Sequence, residues 1–169
     1  MAKVRGPFDP EPPSIASWLI PAGSIMLGSM VTLLPVVATF PILPPLGLMM
    51  LVGWRLGRAE ALPIWSALLL GLFDDLFSGQ PFGSAMLFWT LTVLIIDLFD
   101  QRLVSRDFWQ DWLLASGAIA GCLIAGRMIA VPIGAHVDTV LLLQAAASVM
   151  LYPAIARLCA WLDEKRTPE

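Results

Sequence analysis

The run LPIWSALLLGLFDDLFSG carries two adjacent carboxylates, Asp74 and Asp75, with no Lys or Arg close by in sequence. Paired aspartates can serve as acid and base. That chemistry needs the two acids to face each other across a water-filled gap, and neighbouring positions on a helix point about 100° apart. The rest of the reactive inventory is thin. There is one histidine, His136, and two cysteines, Cys122 and Cys159. No Ser-His or Cys-His arrangement, no H-E-x-x-H motif and no helix-borne metal cluster can be read, so the usual nucleophiles lack a base. The expectation is a protein that is not an enzyme and has no cofactor or metal site. The cysteines lie in different apolar runs without ligand spacing and are expected as buried packing residues. His136 could shuttle a proton; a solvated loop histidine is the plainer reading.

An ionised side chain in an apolar run costs roughly 2.5–3.5 kcal/mol at the centre of a bilayer, so the acid pair needs either a partner or water. Two readings stand. In one, a carboxylate pairs with Arg127 and Gln144 joins them. In the other, Asp74 and Asp75 reach interfacial water beside Ser78 and Gln80 while Arg127 extends to headgroups. Asp97 is expected to reach Arg102 or water. Asp138 or Thr139 is placed to cap the helix that follows it. Gly71, Gly79 and Gly83 would allow close helix approach and a tight turn.

These residues must be positioned by an unusually apolar chain. It is 58% hydrophobic and only 14% charged, against about 25% charged in ordinary globular domains, which points to an all-α, polytopic membrane protein. Net charge of −3 without a basic patch excludes a nucleic-acid partner. Residues 1–14 read as a disordered cytoplasmic tail, not as a signal peptide. A compact bundle of six transmembrane helices is expected across 15–162, followed by a polar tail over 163–169. The spans are placed at 15–34, 46–56, 61–77, 82–99, 112–129 and 139–162. The second is short, about 17 Å, and the prolines of PVVATFPILPP before it forbid one regular helix. The third is entered through Pro63 in its first turn, and the turn over 78–81 makes spans three and four an antiparallel hairpin.

Orientation follows from the basic residues, since cytoplasmic loops are enriched in Lys and Arg. With the N-terminus inside, Lys3, Arg5, Arg55, Arg58, Arg102, Arg106, Arg157, Lys165 and Arg166 all fall on the cytoplasmic side, and only Arg127 does not. Trp18, Trp54, Trp65, Trp109, Trp112 and Trp161 are expected at that same face as an interfacial belt. Both termini are therefore placed inside, and Asp74, Asp75 and Arg127 share the outer leaflet.

The segment Gly71-Leu-Phe-Asp-Asp75-Leu-Phe-Ser-Gly79, followed by Pro81-Phe-Gly83, resembles the MreD family of bacterial rod shape-determining membrane proteins. Asp75 takes the aspartate position of the family pattern. Asp74 stands where that pattern usually has an apolar residue. Weaker likeness extends to Trp54, Pro63, Gln144, Tyr152 and Pro153. The resemblance implies a non-catalytic scaffold or regulator of the cell-wall elongation complex in the inner membrane. It also implies association with the bitopic protein MreC and, through it, with MreB, RodA and the elongation-class transpeptidase. A fold similar to the substrate-binding components of energy-coupling vitamin transporters is implied as well. The alternative function is a small ligand-binding or transporter subunit with an outward pocket lined by Asp75, Arg127 and Gln144.

Overall fold

The computed structural model describes residues 15–33, 43–78, 81–100, 107–130 and 139–166. Within them lie six α-helices and no strand: α1 (Ile15–Met30), α2 (Leu46–Gly57), α3 (Ser66–Ser78), α4 (Ser84–Asp100), α5 (Phe108–Ala130) and α6 (Thr139–Arg166). The N-terminal tail, His136, Asp138, Gly79 and most of the proline-rich stretch fall outside the described residues.

The short helix organises the others. α2 packs against α1, α4, α5 and α6, and nine of its twelve residues are buried. Only a helix surrounded by protein can be apolar on every side in this way. Its flanks are covered by protein along most of its length. Two glycines bring α1 and α2 together. A methyl group on Gly28 would lie 3.0 Å from the backbone nitrogen of Gly47, and one on Gly47 would run into the Ser29 hydroxyl. Trp54, expected at the interface, is instead buried in this core, where its indole nitrogen donates to Ser24 Oγ at 2.9 Å. Trp18, Trp65, Trp109 and Trp161 remain exposed.

Helix limits differ from the sequence expectation where local chemistry intervenes. α3 starts at Ser66 and not near Ala61, because Ala59–Ala61 forms its own 3-10 turn. Pro63 therefore precedes the helix, and its carbonyl accepts both the Ser66 amide and hydroxyl, at 2.9 and 2.6 Å. α5 begins four residues early because the Asp107 carbonyl accepts the amides of Gln110 and Asp111. α6 runs through Arg166, beyond the expected end at Leu162. Asp163 binds Arg166 one turn on, at 2.8 Å, and Lys165 lies over the Trp161 ring.

α5 and α6 are each long and apolar enough to cross a membrane, over Phe108–Ile129 and Thr139–Arg166. The outward faces of the other helices are apolar too, with Leu27, Leu69, Leu76, Leu91 and Leu98 exposed. Three hollows mark the surface. A cleft of 320 Å³ opens between one end of α2, α5 and α6. Shallow apolar grooves of 380 and 550 Å³ run between α4 and α5 and between α1 and α6.

The glycine crossing gives a direct test. Gly47→Ala should overpack the α1–α2 contact and cost about 1–3 kcal/mol, read as a lowered unfolding midpoint in detergent. Gly57→Ala, where an added methyl meets nothing within 4 Å, should leave the midpoint unchanged or raise it slightly.

Candidate functional site

A first polar cluster lies at the turn end of the α3–α4 hairpin. Gly71 and Asp75 are four apart on α3 and so share a face. That face meets the first turn of α4. A methyl on Gly71 would sit 2.7 Å from Met86 Cα and 2.8 Å from the carbonyl oxygen of Ala85, so only glycine lets the two backbones approach this closely. One turn further, Asp75 is 5% exposed and turned entirely into the hairpin. Its Oδ2 accepts the amides of Gly83 at 3.0 Å and Met86 at 3.1 Å. Its Oδ1 accepts the Ala85 amide at 2.9 Å and the Ser84 hydroxyl at 3.3 Å.

Those amides are the free donors at the start of a helix, which a capping side chain normally satisfies from its own segment. Here the cap comes from the preceding helix. A carboxylate at that position also complements the positive end of the helix dipole. Gly83 completes the geometry with φ of +92°, a conformation that costs a residue with a Cβ but not glycine.

Asp74 points elsewhere, as the 100° step requires. It is turned toward Ser29 of α1, the residue whose hydroxyl seats against Gly47. Asp75 thus ties α3 onto α4, while Asp74 faces α1. This gives the extra acid a place that the family pattern alone does not supply.

The expected grouping of Asp75, Arg127 and Gln144 does not form. The four donors around Asp75 leave it no contact with Arg127, and its burial excludes the interfacial-water reading. Arg127 is exposed near the end of α5. Gln144 reaches across to the chain entering α2, donating to the Leu43 carbonyl at 2.8 Å. A carbonyl just before Pro44 and Pro45 stands where regular helical bonding cannot begin, so the amide supplies a missing donor. Gly79 lies outside the described residues.

A second polar locus sits at the opposite end of the bundle. Asp97 of α4, expected to reach Arg102 or water, accepts Arg55 Nε of α2 at 2.6 Å, and Arg102 lies outside the described residues. A second guanidinium nitrogen of Arg55 also meets Asp97, and a third binds the carbonyls of Ala59 and Leu62, the latter at 3.0 Å. The two side chains are 10% and 13% exposed. One arginine therefore ties α2, α4 and the α2–α3 connection. In sequence, Arg55 and Asp97 are each the first charge reached along an apolar helix. Midway along the bundle, Thr92 and Cys122 join α4 to α5 at 3.0 Å, and Cys159 is buried beside Gly53.

A family model described as rod shape-determining protein MreD matches residues 13–162. No curated protein and no solved structure matches the chain.

Asp75→Asn would turn an amide group toward donors that need acceptors, leaving buried N–H groups unpaired at about 1–3 kcal/mol each. The expected result is a lowered melting midpoint with faster amide exchange at Gly83, Ala85 and Met86, and a far smaller change for Asp74→Asn. Arg55→Ala and Asp97→Ala should each destabilise by about 3–5 kcal/mol, the cost of leaving one buried charge alone. The double variant should be milder than the sum, which a double-mutant cycle measures.

Proposed function

The chain belongs to the MreD family of rod shape-determining membrane proteins, and we propose on that premise that it is a non-catalytic scaffold of the cell-wall elongation complex. In this reading all six helices cross the bacterial inner membrane, with both termini in the cytoplasm. A bitopic MreC-like protein is the direct partner, and MreB, RodA and the elongation-class transpeptidase are reached through it.

One observation carries the reading. The described residues of the family pattern are consumed inside the fold: Gly71 by the α3–α4 contact, Asp75 by three donors of α4 and the Gly83 amide, Gly83 by the turn. A signature used up in this way builds a shape and leaves the outer faces to do the work. Those faces are apolar, as Leu27, Leu91, Ile124 and Met150 illustrate, and exposed apolar surface on this scale marks contact with lipid or with partner helices. The orientation is supported by charge. Arg55, Arg58, Lys165 and Arg166 gather at one end of the bundle, and Arg127 lies at the other, as the enrichment of cytoplasmic basic residues requires.

The ligand-binding alternative called for an outward pocket among Asp75, Arg127 and Gln144. The cleft and both grooves are lined by other residues.

In a rod-shaped host, deletion of the gene should give round or swollen cells that the intact chain rescues. The MreC-like partner should co-purify in mild detergent. Unchanged rods after deletion, or a small molecule retained in place of the partner in mass spectrometry, would overturn the proposal.

A further inference from the structure

The 320 Å³ cleft between α2, α5 and α6 differs in kind from the two lateral grooves. Its walls carry Phe108 and Trp112 beside the buried Trp54 and Tyr152, and its three carboxylates, Asp111, Asp163 and Glu164, outnumber Arg58 and the adjoining Arg166. The chain's own Arg166 displays what such a lining recognises. Its guanidinium binds Asp163 at 2.8 Å and lies over the Trp54 ring, 5.8 Å from the centroid. Arg58 also reaches Asp163, at 3.3 Å, so two guanidiniums already share that one carboxylate. Glu164 lies on the exposed side of the rim.

The geometry points to this cleft as the seat for a further basic side chain, supplied by the cytoplasmic flank of a single-span partner. This inference rests on the scaffold reading and its orientation. Two physical arguments choose the occupant. The acidic excess of the lining favours a cation, and aromatic walls hold a guanidinium or ammonium by its charge against the ring face. The carboxylates can add charge-assisted hydrogen bonds. A single-span protein inserted beside this bundle carries Lys and Arg immediately cytoplasmic of its helix, which is the level at which the cleft opens.

The test uses the full-length chain in phosphatidylcholine nanodiscs, titrated with a synthetic single-span peptide. One version carries two arginines on its cytoplasmic flank, the other two glutamines. The arginine peptide should bind at least about tenfold more tightly. Glu164→Gln should reduce that preference without touching the core. Ala160→Trp, which fills the mouth of the cleft from an exposed position, should abolish it, and Glu60→Gln, an acid outside the cleft, should leave it intact. Equal binding of the two peptides, or a preference that survives Ala160→Trp, would overturn the inference. So would its loss on adding phosphatidylethanolamine, which would identify the cleft as a lipid site. Capture of the MreC-like partner from cells separates the two levels. If Ala160→Trp captures as well as the unaltered chain, the cleft inference fails and the scaffold reading stands. If the unaltered chain captures nothing, both fall.

Discussion

The cross-helix cap is the constraint on which the architecture turns. A helix that begins against a neighbouring helix leaves its first amides without intrahelical partners, and buried amides must find an acceptor elsewhere. Asp75 resolves this from the neighbouring helix, and in doing so fixes where α4 starts, how close it lies to α3 and which face α3 presents. The same carboxylate, buried in the hairpin, needs those donors as much as they need it. Each group is thus the other's reason for being there. Gly71 and Gly83 are what allow the carboxylate to reach: one removes the side chain that would hold the helices apart, the other lets the chain turn back quickly enough.

A second tie at the far end complements the first. Arg55 joins α2 to α4 and to the connection leading into α3, so the hairpin is held at both ends to different elements. Between these ties, packing is tight where glycine meets backbone, at Gly28 and Gly47, and looser along the grooves. The bundle therefore combines a rigid centre with outward faces that are apolar but not deeply interlocked.

Much of this was legible in the residues. Six helices, their order, the hairpin and the importance of the Gly71–Gly83 segment all follow from apolar run length, proline placement and the acid pair. The role of Asp75 was not legible, because pairing with Arg127 and capping a neighbouring helix both satisfy a carboxylate in an apolar run. The choice depends on a distance between helices that periodicity does not contain. The divergence of Asp74 and Asp75 was readable from the helical step, but their targets, α1 and α4, were not. Arg55 and Asp97 escaped notice as a pair because they lie 42 positions apart, on helices whose adjacency only the packing decides. Gln144 was placed in the wrong company for the same reason, since its acceptor is a carbonyl made available by two prolines far away in sequence.

The enclosure of α2 bears on how such a chain is made. Twelve residues with an arginine near the end form a poor insertion signal for the translocon, which judges segments one by one as they emerge. The surfaces that bury this helix come in part from α5 and α6, synthesised last. Until those arrive it must wait beside α1 in an incomplete groove, so maturation is completed late, and chains cut short before the sixth helix would present quality-control proteases with an exposed core.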